Sequence, residues 1–134
     1  MNGLVIDTSA AVALLSGEPA GFELIDELDR DGSRLMSAGS LVELGIVLEA
    51  RFGPVGLGIV ERFLREAKVE VVPMDHEQAG AAVSAWRRFG KGRHAASLNL
   101  GDCFTYALAE VTGLPILCTG DDFARTDLSV VPTI

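Results

Sequence analysis

Four carboxylates in this chain stand apart from other charges. Asp7 is the only charged residue among the first 17, and Glu43 the only one between Met36 and Leu48. Asp102 is alone between Ala95 and Ala109, and Asp121, with its neighbour Asp122, follows an uncharged run from Val111 to Gly120. Most of the 19 acids instead sit in charged neighbourhoods such as Glu23 to Asp31 or Glu61 to Glu70. Carboxylates are rarely buried unless they are paired or hold a metal. Acids in apolar surroundings, two at the ends of strand-like runs and one at a helix start, therefore point to a shared cation. A set of oxygen donors alone suits Mg²⁺ or Mn²⁺, and the sequence has no His/Cys cluster of the kind zinc prefers.

Each acid also has a purely structural role open to it. Asp7 can form a strand-end turn or cap the helix that follows. Ser40-Leu41-Val42-Glu43 fits a capping box, in which Glu43 would satisfy backbone at a helix start. A helix beginning earlier, at Ser37, places Glu43 mid-helix among leucines and valines instead. Asp102 can complement a helix dipole, and Asp121 and Asp122 can shape the turn after Gly120.

A second constellation is basic. No acid occurs between Glu77 and Asp102, and this window holds Arg87, Arg88, Lys91, Arg93 and His94, with four of the chain's 11 Lys/Arg residues. It reads as a helix end running into a mobile loop, a phosphate-contacting arm beside an acidic centre. The alternative is a solvated helix end whose cations complement the dipole. His94 alone is weak evidence for acid–base chemistry.

The elements that would position these residues are short β-like runs alternating with helical segments. Leu4-Val5-Ile6 is a strand ended by Asp7, and Thr8 or Ser9 caps a helix to Leu15, closed by Gly17 and Pro19. Phe22, Leu24, Ile25 and Leu28 have helical spacing. Arg34-Leu35-Met36 is a second strand. A helix runs from Ser37 or Ser40 to Arg51, stopped by Gly53-Pro54, and another from Val55 to Lys68. Val69 to Val72 is a strand, and Asp75 starts a helix that contains Trp86 and Phe89. Asp102 to Val111 is a helix with Gly113 as its C-cap. Ile116-Leu117-Cys118 and Val130-Val131 complete the strands. Strands separated by helices pair in parallel through right-handed crossovers. The expected architecture is a three-layer α/β/α sandwich with a central, mostly parallel sheet, whose ligands bind beyond the carboxyl ends of the strands.

Composition agrees. At 134 residues the chain is sized for one domain, expected over 1–134. Its mean hydropathy of +0.33 excludes disorder. The two cysteines, Cys103 and Cys118, form no pair-spaced or metal-binding pattern and read as buried thiols of a reducing cytoplasm. No apolar run is long enough for a membrane helix, and an N-terminal stretch that lacks a basic residue and carries Asp7 does not resemble an export signal. A net charge of −8 gives no bulk attraction for nucleic acid, so any such substrate must be held by a local site.

Several segments together resemble one family. Val5-Ile6-Asp7-Thr8-Ser9-Ala10, Ser40-Leu41-Val42-Glu43, Gly101-Asp102-Cys103-Phe104-Thr105-Tyr106-Ala107-Leu108-Ala109 and Thr119-Gly120-Asp121-Asp122-Phe123 look like the PIN domain. Gly92-Arg93-His94-Ala95 followed by Leu98-Asn99-Leu100-Gly101-Asp102-Cys103 is similar to its VapC toxin branch. The resemblance covers the whole chain, in order and at about the right spacings. It implies an Mg²⁺-dependent endoribonuclease, with Mn²⁺ as a substitute, acting as the toxin of a toxin–antitoxin pair. It places the family's acidic quartet on Asp7, Glu43, Asp102 and Asp121, with Asp122 the alternative for the last. It also sets Thr8 and Thr119 near metal or phosphate. A homodimer and an inhibiting VapB-type antitoxin, all cytoplasmic, are implied as well.

The chemistry expected of such a site is hydrolysis of a phosphodiester. Asp7 and Asp102 would hold the cation, Glu43 or Asp121 would orient the attacking water, and in-line attack would leave a 5′-phosphate and a 3′-hydroxyl. Three rival readings fit less well. A receiver-type domain needs a lysine after a late strand, and neither Lys68 nor Lys91 lies there. A phosphatase of the haloacid-dehalogenase type needs an Asp where Ser9 stands. A non-catalytic RNA-binding or scaffolding domain of the same fold would not need an intact acidic quartet.

Overall fold

The structure, a computed structural model, describes residues 2–131. Its elements alternate as expected: β1 (Gly3–Ile6), α1 (Thr8–Leu15), α2 (Pro19–Leu28), β2 (Ser33–Ser37), α3 (Ala38–Phe52), α4 (Gly56–Glu66), β3 (Glu70–Val72), α5 (His76–Phe89), α6 (Leu100–Thr112), β4 (Ile116–Leu117) and β5 (Val130–Val131). The strand order is β3-β2-β1-β4-β5, and every pairing is parallel. The chain winds outward from β1 through β2 to β3, then returns to β1's other edge with β4 and β5. The order reverses between β1 and β4, and an open sheet of this kind leaves a crevice there, beyond its carboxyl edge.

Alternation along the strands sorts the core into two layers. Leu4, Ile6, Met36 and Leu117 face α1 to α4, against Ala10, Leu24, Leu44, Leu48, Val60 and Phe63. Val5, Leu35 and Ile116 face α5 and α6, against Ala85, Phe89, Tyr106 and Leu108. Strands buried on both faces read as continuous apolar runs, as Leu4-Val5-Ile6 does. Each fully buried Leu or Ile contributes about 1.5–3 kcal/mol, so the ends of β1 and β4 are held firmly where the crevice opens.

At four helix starts the structure either decides between expected alternatives, as for α1 and α3, or shifts the expected start, as for α4 and α6, each for a local reason. Asp7, rather than Thr8 or Ser9, caps α1 by accepting the Ser9 N–H. Ser37 caps α3 by accepting the Gly39 N–H at 3.2 Å, which puts Glu43 in the second turn and excludes the capping box. A short 3₁₀ turn over Gly53–Val55 delays α4 to Gly56. α6 starts before Asp102, because Asn99 is its cap. Gly113 closes α6 in the left-handed conformation (φ 73°), the expected glycine signal.

The segment between α5 and α6 is not a free arm. Lys91 N–H donates to Leu98 O and Leu98 N–H to Phe89 O, both at 2.9 Å, closing it as a small β-bridge between Gly90 and Leu98. His94 lies edge-on against Phe89 and accepts the Ala96 N–H on Nδ1, a structural role.

Candidate active site

A cleft of about 330 Å³ opens at the crevice and gathers residues from β1, α3, α6 and β4. Asp7 follows β1 directly and is buried, 3% exposed. One of its carboxylate oxygens accepts the Ser9 N–H at 3.0 Å, and the other accepts the Thr105 hydroxyl at 2.6 Å. Since Thr105 gives its proton to Asp7, its oxygen accepts from the Ser40 hydroxyl 3.1 Å away. Ser40, Thr105 and Asp7 thus form a directed relay that fixes the carboxylate. Thr8 donates to the Ser40 carbonyl at 3.3 Å, so its hydroxyl braces α1 against α3. Thr119 donates its N–H to Ser9 Oγ at 3.1 Å, tying the end of β4 to the start of α1.

Asp102 occupies the third position of α6 and forms a reciprocal capping box with Asn99. Its carboxylate accepts the Asn99 N–H at 3.0 Å, and the Asn99 side chain accepts the Asp102 N–H at 2.8 Å. Burial pushes the Asp102 carboxyl up to about 7. The Asn99 N–H opposes that rise, while the charges of Asp7, Asp122 and Glu43 add to it. Glu43 reaches the same place from α3. A Cβ on Gly101 would lie 2.5 Å from both Glu43 carboxylate oxygens, so only glycine lets α6 pass this side chain so closely.

Asp7, Glu43 and Asp102 all line the cleft. Asp121 does not. Its carboxylate pairs with Arg125 at 2.9 Å, and Arg125 also donates to the Ala95 carbonyl. Asp122 is the acid of this turn whose charge is felt at Asp102. Among the described residues, no three His, Cys, Asp or Glu side chains already close into a metal cage. The donor set nonetheless fits a hard divalent cation: oxygen ligands only, three carboxylates lining one cleft, and an Asp102 carboxyl raised mainly by burial and further by its acidic neighbours.

The basic segment lies outside the cleft lining. Arg88 is clasped by Asp127 at 3.1 Å and lies 3.4 Å from the Tyr106 hydroxyl, which itself donates to Asp127 at 2.6 Å. Arg93 stacks over Trp86, 4.1 Å from the ring centroid. Lys91 borders an apolar groove with Trp86, Leu98 and Phe104, and Arg87 is exposed. Both cysteines are buried, and burial pushes the Cys103 thiol to about 11 and Cys118 to about 12. Neither is a reactive thiolate.

Sequence reasoning missed Thr105, although it stands three residues after Asp102, on the same helical face. It also missed Asn99, Glu18 and Arg51. The last two line the cleft, and Arg51 stands eight residues after Glu43 on α3, where the same spacing argument applies.

A parallel sheet in this order, with carboxylates from β1, α3 and α6 meeting at its switch point, is the arrangement of a PIN domain. Residues 4–128 match the sequence model of that domain, and the chain belongs to the PIN-domain family. It is 48% identical over 128 residues to the ribonuclease VapC of Mycolicibacterium smegmatis, covering 96% of this chain and 99% of that protein. It is 47% identical to ribonuclease VapC30 of Mycobacterium tuberculosis, covering 96% and 98%. These relatives place it in the VapC branch. Among solved structures, it resembles VapC20 of Mycobacterium tuberculosis, described as a sarcin–ricin-loop-cleaving toxin, with a TM-score of 0.77 at 18% identity over 96% of this chain and 98% of that one. VapBC2 from Rickettsia felis, bound to a DNA fragment from its promoter, aligns with a TM-score of 0.76 at 12% identity over 99% of both chains.

Proposed function

We propose that this protein is a divalent-metal-dependent endoribonuclease, the toxin of a toxin–antitoxin pair. The observation that carries the reading is the meeting of Asp7, Glu43 and Asp102 in one cleft at the sheet's switch point. The names of the relatives support RNA as substrate and a VapB-type antitoxin as partner.

Asp7 and Asp102 would hold Mg²⁺, with Mn²⁺ as a substitute. Bound there, the cation would neutralise the cleft and stabilise charge building on the scissile phosphate. Asp7 is held in place by Ser9 and Thr105, and Asp102 by Asn99, so little reorganisation is needed when RNA arrives. Glu43 is not tied to the backbone of its own helix start, so its carboxylate can accept a proton from the attacking water. Asp122 stands as the fourth acid, since Arg125 engages Asp121. In-line displacement then yields a 5′-phosphate and a 3′-hydroxyl. Arg87 and Lys91, both exposed, are the members of the basic segment left to meet RNA backbone at a distance from the chemistry. The exposed apolar side chains Val42 and Ile46 on α3 and Leu100 on α6 support a homodimer. Among the described residues no helix is long and apolar enough to cross a membrane.

The test is RNA cleavage in Mg²⁺ and in EDTA by wild type, Asp7→Asn and Asp102→Asn. Activity is expected only for wild type in Mg²⁺. Millimolar Mn²⁺ should raise the melting temperature of wild type and of neither variant, because the cation binds the folded cleft and not the unfolded chain. Cleavage by either variant near the wild-type rate would remove that residue from the site.

A further inference from the structure

Arg51 is the single basic side chain among the described residues that line the catalytic cleft. It lies on the last turn of α3, whose residues Glu43, Val47 and Arg51 recur at four-residue spacing and all face the cleft. At ~1.5 Å per residue, Arg51 stands about 12 Å along the helix from Glu43. That is too far to touch the scissile phosphate, and well placed for a neighbouring one.

Its present partners are weak. One guanidinium nitrogen donates to Ser16 Oγ at 3.2 Å and to Glu18 Oε1 at 3.1 Å. Both charged side chains are nearly half exposed, 47% for Arg51 and 44% for Glu18. An exposed pair of this kind holds by only about 0–1 kcal/mol. A phosphate offers the guanidinium two parallel, charge-assisted bonds in place of one. The other charged residues of the cleft, Asp7, Glu18, Glu43 and Asp102, are all acids, so Arg51 is the one lining side chain that attracts a phosphate by charge.

We propose that Arg51 is the cleft's phosphate-gripping residue, exchanging Glu18 for a backbone phosphate that flanks the scissile bond. The assignment rests on the ribonuclease reading above and adds to it where the strand lies. Arg51 is a positioning residue, since the chemistry stays with the carboxylates. Glu18 keeps the guanidinium extended along the cleft until RNA replaces it.

The experiment measures affinity for a short single-stranded RNA in Ca²⁺ at several salt concentrations, with RNA integrity checked on a gel. Arg51→Ala should weaken binding about five- to tenfold and reduce the salt slope by about 0.7, the loss of one single-strand phosphate contact. Arg51→Lys should keep the slope while losing part of the affinity. Glu18→Gln, which removes the competing carboxylate, should bind more tightly than wild type. All three variants should melt within a few degrees of wild type, since the exposed pair contributes little stability. An Arg51→Ala protein that binds with unchanged affinity and slope, while wild type still cleaves in Mg²⁺, overturns the assignment and leaves the ribonuclease reading intact. A wild type that neither binds nor cleaves RNA overturns both.

Discussion

Neutralising Asp102 should stabilise the metal-free protein while abolishing its activity, and the gain should depend on pH in a defined direction. The Asp102 carboxyl is raised from 3.8 to about 7. At ~1.4 kcal/mol per pH unit, that displacement has a ceiling of about 4 kcal/mol. The side chain is partly exposed, so solvent screening reduces the figure to about 1–2 kcal/mol. Between pH ~4 and ~7 the folded protein keeps a proton that the unfolded chain has lost, and stability falls as pH rises through this window. Below it both states are protonated and the penalty is absent; above it the penalty is complete. Asn removes the charge yet keeps an oxygen to accept the Asn99 N–H, so the α6 cap survives. The lost dipole interaction at the helix start opposes the gain by a few tenths of a kcal/mol. In EDTA at pH 8, Asp102→Asn should melt about 3–6 °C above wild type, and the two should converge near pH 4. The acidity of the remaining chain cancels in the comparison. A constant difference across pH, or a variant less stable at pH 8, would refute the account of Asp102 as a carboxylate raised by burial and, to a lesser degree, by its acidic neighbours.

Three further outcomes are expected. Gly101→Ala drives a Cβ into the Glu43 carboxylate, which is the end of a flexible side chain and can swing away. Cleavage should therefore fall at least tenfold while the melting temperature drops by only a few degrees. Asp122→Asn should reduce cleavage more than Asp121→Asn, because Arg125 occupies Asp121; equal losses measured in initial rates would contradict this. Asp127 is held below the usual carboxylate range, chiefly by the hydrogen bond from Tyr106. It adds stability above its unfolded value that is lost as pH falls through its lowered folded value, so Asp127→Asn should flatten the acid limb of the stability curve below pH ~4, followed by chemical denaturation.

Much of this was legible in the sequence because β1, β2 and β3 each carry a short apolar stretch, Leu4-Val5-Ile6, Leu35-Met36 and Val71-Val72, stopped by Asp7, Ser37 and Pro73, a pattern with few competing readings. The start of α3 was ambiguous for a definite reason. Ser37 and Ser40 are both good caps, and only tertiary packing, which engages Ser40 with Thr105, decides between them. The role of Glu43 turned on that choice. The basic segment misled in a different way. Charge pattern along a chain records which side chains are cationic and nothing of what folds beneath them. Trp86 and Asp127, which capture Arg93 and Arg88, come from a preceding helix and a much later turn. Arg51 was hidden because, beside Glu49 near a helix end, it reads as an ordinary surface charge, and only the helical spacing shows that it shares a face with Glu43.

The hydrogen bond from Thr105 to Asp7 joins residues 98 positions apart, and it has a consequence for the chain during synthesis. β1 lies in the middle of the sheet, and one of its two neighbours, β4, is among the last elements made. Until α6 and β4 are present, Asp7 lacks both Thr105 and Asp102, and the half-sheet of β1, β2 and β3 has an open central edge. A product stalled or cut anywhere upstream of α6 therefore carries no assembled cleft, however well its early helices form. Contacts this distant in sequence also close late and slowly. The interval between translation of the first acid and assembly of the site is built into the topology, so the nascent chain carries its acids apart for as long as α6 is missing.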